Sequence, residues 1–162
     1  MSAAPYFPLF VDLSGRRIAV IGGGAVATRR IGTLLPFGPE ITVTAPEVTP
    51  ALRRLAEEGA ITWQARAFEP DDLTGADLVL AATDDRAVNE RVGALCRQAG
   101  IPVNTADCRE TCDFYFPGII RREEMVIGFS ASGTDHRRAR RLRELTEESL
   151  ERLREEEIKE KR

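Results

Sequence analysis

The chain has 162 residues, 43% of them hydrophobic and 30% charged, with 13 Gly and 9 Pro. This is close to an ordinary globular composition and excludes collagen-like, mucin-like and wholly disordered readings. A single chain of this size is expected to bury about 70% of its unfolded surface. The 23 basic and 26 acidic residues leave a formal net charge of -3, so no global field draws nucleic acid or an anionic membrane, and an anionic ligand must be met by local charge.

The first basic residue is Arg16, whereas a secretory leader wants basic residues ahead of an apolar stretch. The longest mostly apolar run, Ile18 to Ala27, is interrupted by three glycines and falls short of the roughly 18 residues needed to span a bilayer. A soluble, cytoplasmic protein is expected. Cys96, Cys108 and Cys112 are odd in number, which suits a reducing compartment rather than a disulfide framework. Cys-x3-Cys without a second pair predicts no metal site.

From Arg17 to Ala106 short β-branched runs alternate with helical ones, the pattern of an α/β fold. Strands are predicted at Ile18–Ile21, Ile41–Ala45, Ile61–Arg66, Asp77–Ala82 and Ile101–Thr105. Between them, Ala25–Leu35 reads as a helix stopped by Pro36. Thr49-Pro50 opens a second helix closed by Gly59, and Asp84 or Asp85 caps a third running to about Ala99, Asp84 being the first choice. Five strands with such crossovers predict a Rossmann-type, doubly wound parallel sheet. Beyond Asp107, Phe114–Arg121 and Met125–Ala131 leave no room for a helix between them and predict a hairpin. From Asp135 onward the chain is densely charged, with Leu142, Leu145, Leu150 and Leu153 on one arc, a long amphipathic helix. Ile158 lies off that stripe, so the last turns are expected to fray into a tail. The expected organisation is a dinucleotide-binding domain over 1–112, then a hairpin and long helix over 113–162 whose apolar faces need cover from the sheet or from a second subunit.

Gly22-Gly23-Gly24-Ala25-Val26-Ala27 matches G-x-G-x-x-A directly after a strand and directly before a helix. Gly22 permits the tight turn, Gly24 leaves space for a pyrophosphate, Ala27 keeps helix and strand close, and the helix start offers free amides. Glu47 lies about 20 residues on, the spacing of a ribose-binding acid, though it could equally be a first-turn helix acid. Arg53 and Arg54 fall inside the second helix rather than at a 2′-phosphate, so NAD is preferred to NADP. Thr83, beside the cap, and Asn104 end strands at the carboxyl edge, where the nicotinamide side of a cleft would lie. Asp107 stands at the same edge with no helix behind it that needs a cap, and is the carboxylate singled out for acid-base work. His136, the one histidine, sits beside Arg137 and Arg138 and reads as a solvated helix start rather than a ligand. The arginines from Arg137 to Arg143 read either as a solvated face or as a local attraction for carboxylates.

Taken in order, Ile18 to Ala27, Ala82 to Asp85, Asn104 to Asp107, Cys112-Asp113-Phe114 and Phe116-Pro117 resemble the precorrin-2 dehydrogenase family, the N-terminal module of siroheme synthase. The resemblance runs from about Phe7 to Arg143. It implies an NAD-binding domain followed by a small dimerisation region, and NAD-dependent oxidation of precorrin-2, a polycarboxylate tetrapyrrole, to sirohydrochlorin. It also implies nucleotide contacts on the glycine turn with Ala25 and Val26 and on Pro46 and Glu47, and a functional aspartate at Asp107. Cys112 and Phe114 match packing positions of that family. Two features depart from it. Gly133-Thr134 leads into Asp135-His136 where the family commonly has Ser-Pro, Asp135 being a good replacement cap. Fuller members also continue into a third, helical region, which weighs against iron insertion here. A bifunctional dehydrogenase and ferrochelatase, and a non-catalytic NAD-sensing module, are the alternative readings.

Overall fold

The computed structural model describes residues 5–160, which form two compact units, Val11–Tyr115 and a second from Phe116 onward that also takes in the described residues up to Phe10. The division falls three residues beyond the expected 112/113. Asp113 explains the shift: its amide donates to Val103 O (2.9 Å) and its carboxylate accepts the Val103 amide (2.9 Å), so the chain stays with the first unit through Tyr115.

In the first unit β1 (Arg17–Ile21), β2 (Glu40–Thr44), β3 (Thr62–Gln64), β4 (Leu78–Ala81) and β5 (Val103–Thr105) form one sheet of order β3-β2-β1-β4-β5. Every pairing is parallel. The helices are α1 (Ala25–Leu34), α2 (Pro50–Glu57) and α3 (Arg86–Ala99). The doubly wound α/β expectation holds. Ala19, Ile21, Val79, Ala81 and Val103 on one sheet face pack with Val92 and Cys96 of α3. Fully burying a side chain such as Val79 or Val92 stabilises the fold by about 1.5–3 kcal/mol. Burial pushes the Cys96 thiol up to about 11, so this cysteine packs rather than reacts.

Local chemistry sets the element ends. Thr49 Oγ1 accepts the Leu52 amide (3.3 Å) and Pro50 follows it, starting α2 as predicted. Asp85, not Asp84, caps α3, accepting the amides of Ala87 (2.8 Å) and Val88 (3.3 Å). The strand predicted from Ile101 starts at Val103 because Pro102 has no amide to donate, although its carbonyl accepts from Val79 (3.0 Å).

In the second unit β6 (Gly118–Arg122) and β7 (Met125–Phe129) form an antiparallel hairpin turned at Glu123-Glu124, with Glu123 at φ 51. The first hairpin strand therefore begins after Pro117 and not at Phe114. The long helix α4 (His136–Glu160) starts where Asp135 Oδ1 accepts the Arg138 amide (2.9 Å), so the replacement cap works as one. Its backbone is helical through Glu160, although the sequence predicts a frayed tail there, and residues 161–162 lie outside the described stretch. Arg140 pairs with Glu144 (2.8 Å) and Arg143 with Glu147 (3.0 Å), which ties part of the arginine cluster to its own helix. Arg122 of β6 also pairs with Glu151. Leu142, Leu145 and Leu153 are 49%, 40% and 55% exposed, an apolar stripe on α4 uncovered by the described residues of its own unit.

Candidate functional site

The site is built on the carboxyl edge of the parallel sheet. Backbone bonds carry the ladder one step past the strand ends: Gly22 donates to Thr44 O (3.0 Å), Ala82 to Ile21 O (2.7 Å) and Ala106 to Ala81 O (2.8 Å). Gly22, Ala82 and Ala106 therefore stand abreast at one level. With neighbouring strands roughly 4.8 Å apart, the glycine turn and the end of β5 are about 10 Å from each other across the edge.

The three glycines do three different things. Gly22 has φ +113, and a Cβ there would lie 2.3 Å from Ala82 O. A Cβ on Gly23 would lie 2.3 Å from Glu47 O, and the Gly23 carbonyl accepts the Thr49 amide (3.0 Å). These two let the β1 turn press against its neighbours on both sides. At Gly24, by contrast, a Cβ would meet nothing within 4 Å. Gly24 is the N-cap of α1 with no side-chain cap, and the first turn carries no acidic residue. Gly24, Ala25 and Val26 are exposed while Ala27 is buried, so the open end of the helix offers amides and the positive end of its dipole to an anion.

Pro46 and Glu47 are exposed on the segment between β2 and α2, against the glycine turn through Glu47 O. Because α2 starts at Pro50 behind its Thr49 cap, Glu47 lies outside the helix and the first-turn alternative is removed. Arg53 stacks over the Trp63 ring (4.9 Å). Thr83 uses its hydrogen-bonding groups locally. Its amide donates to Asn89 Oδ1 (3.1 Å), its carbonyl accepts Asn89 Nδ2 (3.1 Å), and its hydroxyl lies 2.8 Å from both the Asp85 carbonyl and Asn89 Oδ1. The buried Asn89 is a site-shaping residue that sequence reasoning missed.

The chain then folds back along β5. Thr105 Oγ1 donates to Cys108 O (2.6 Å), and the Thr105 amide donates to Cys112 Sγ (3.2 Å). Cys112 thus stitches the turn, a packing role, and Asp113 closes the sheet edge as a second residue missed from sequence. Asn104 is 3% exposed; its Nδ2 donates to Phe114 O (2.6 Å), while its Oδ1 is buried without a hydrogen-bond partner among the described residues. Asp107 is exposed beyond the strand end. It precedes a short turn of 3-10 helix (Arg109–Thr111) that has no side-chain cap. Its charged neighbour is Arg86, whose guanidinium is held protonated first by the hydrogen bond to Glu90 and then by Asp107 and Cys108. Among the described residues no three His, Cys, Asp or Glu cluster as metal ligands, and His136 is an exposed first residue of α4. No helix among them is long and apolar enough to cross a membrane.

A family model described as NAD(P)-binding matches residues 9–118. The chain belongs to this NAD(P)-binding family. Its members' cofactor fits the cradle, since the space at Gly24 and the free amides of α1 are what a pyrophosphate requires. Among curated relatives of this family member, the siroheme synthase of Methylococcus capsulatus is 42% identical over 138 residues, covering 85% of this chain and 29% of the relative. The siroheme synthase of Sodalis glossinidius is 43% identical over 145 residues, covering 90% of this chain and 31% of the relative. This chain thus spans less than a third of the length of these relatives. A solved structure of SirC, precorrin-2 dehydrogenase, superposes with a TM-score of 0.75 at 28% identity, over 89% of this chain and 71% of that one. The resemblance carried by the glycine turn and the Asn104 to Pro117 segment is borne out by these relatives.

Proposed function

We propose that this chain oxidises precorrin-2 to sirohydrochlorin with NAD, in a reducing cytoplasm and as a homodimer. The observation that carries the reading is the shared sheet edge: an open amide cradle at Gly24 and an exposed carboxylate at Asp107 stand at the same carboxyl edge, on the ends of β1 and β5 with β4 between them. Similarity to SirC along 89% of the chain supplies the substrate class.

Bound NAD supplies the hydride acceptor. The substrate loses one hydride and one proton, giving sirohydrochlorin, NADH and a proton that passes to a base. Gly24, with the amides of Ala25 and Val26, would face the pyrophosphate, Gly22 allows the tight turn that presents them, and Ala27 keeps α1 close to β1. Pro46 and Glu47 flank the adenosine ribose. Arg53 is committed to Trp63, which favours a ribose hydroxyl over a 2′-phosphate and hence NAD over NADP. Thr83, its polar groups spent on Asn89 and Asp85, shapes the nicotinamide side without bonding to it, and Asn104 lies on the adjacent strand. Asp107 accepts the proton.

The test is to incubate the purified protein with precorrin-2 and NAD, with and without Fe2+ or Co2+, and to follow absorbance. Metal-independent oxidation is expected. NAD binding without turnover would overturn the reading in favour of a sensor. The uncovered stripe of Leu142, Leu145 and Leu153 supports the dimer, so sedimentation at micromolar concentration should give twice the 17.9 kDa chain mass. A clean monomer with a folded C-terminal half would refute it.

A further inference from the structure

We infer that Asn104 recognises the carboxamide of the nicotinamide ring, its Oδ1 accepting an amide N–H of the cofactor; this rests on the NAD reading above. Asn104 sits in β5 opposite Leu80, which is opposite Val20 in β1, so these three residues share one face of the sheet. The other face, bearing Val79, Ala81 and Val103, packs on α3. In the order β3-β2-β1-β4-β5, right-handed crossovers put α1 and α3 on opposite faces. Asn104 is therefore on the side of α1, whose open N-terminus cradles the pyrophosphate, and two residues before the abreast position of Ala106.

The amide orientation follows from its partner. Nδ2 donates to the Phe114 carbonyl, and a flipped amide would set two oxygens against each other, which leaves Oδ1 as the orphan. A buried carbonyl oxygen without a donor is costly, by enough that native structures rarely leave one. The group that satisfies it must be a donor. The carboxylates expected around the rim of the tetrapyrrole present oxygens and would be repelled, whereas the nicotinamide carboxamide presents N–H groups. A bond formed there, away from competing water, fixes which way the carboxamide points and hence which ring face meets the substrate.

The probes are NAD, 3-acetylpyridine adenine dinucleotide, in which a methyl replaces the amide nitrogen, and ADP-ribose, which lacks the ring. Calorimetric titration of the wild-type chain should favour NAD over the acetylpyridine analogue by roughly tenfold, as expected for one unpaired buried acceptor. Asn104→Leu should bring that ratio close to one while ADP-ribose affinity stays unchanged, which also reports that the variant is folded. Equal wild-type affinities for NAD and the analogue, or an undiminished ratio in Asn104→Leu, would overturn the inference and leave the cofactor reading standing. If wild type binds neither NAD nor ADP-ribose, the cofactor reading fails and takes this inference with it.

Discussion

Gly24→Asp is expected to weaken NAD binding on the order of 10²- to 10³-fold and to leave the fold intact. A carboxylate about 4 Å from a phosphate, at the effective dielectric of a protein surface, costs up to about 4 kcal/mol, which is nearly a thousandfold at 1.4 kcal/mol per decade. The fold should survive because Gly24 has ordinary backbone geometry at φ -82 and a Cβ there enters open space. Gly22 and Gly23 offer no such separation. A side chain on either drives into backbone atoms 2.3 Å away, so weaker binding in those variants would report a damaged turn rather than a lost contact. Calorimetric titration of Gly24→Asp alongside its thermal unfolding checks both halves. An unchanged dissociation constant would refute the cradle.

The parallel sheet and the glycine turn were legible because their signals are local: apolar runs of strand length, and glycines between a strand and a helix. Reading failed where a residue's role depends on a partner elsewhere. Asp84 and Asp85 are both chemically able to cap α3, and only the backbone path decides for Asp85. Thr83 looked available at a strand end, yet Asn89, six residues on, absorbs its polar groups. Nothing in the helical pattern marks Asn89, whose side chain is directed back to the turn rather than out to water. Asp113 read as part of a family motif, but its work, accepting the Val103 amide at the open edge of β5, appears only once the chain has doubled back. That return also explains why the unit boundary and the start of β6 lie further along than the apolar run from Phe114 predicts.

Asp107→Ala should cut turnover of precorrin-2 by roughly 10²- to 10⁴-fold, the range for losing a general acid or base, with NAD affinity near wild type. The separation is expected because Asp107 lies two strands from the glycine cradle, across about 10 Å of sheet edge, and takes no part in the turn that cradles phosphate. It is also free of structural duty: Asp85 caps α3 and Asp113 closes the sheet edge, so removing the Asp107 carboxylate strips neither a helix nor a strand of its partner. Asp107→Asn then divides chemistry from placement. The amide keeps the shape and much of the hydrogen bonding but cannot take a proton as a carboxylate does, so an inactive Asn variant that still binds NAD identifies proton acceptance. An active Asn variant would assign Asp107 to orienting the substrate. Wild-type rates from both variants would remove Asp107 from the mechanism, leaving the dinucleotide cradle as it is and requiring a different group to accept the proton at this sheet edge.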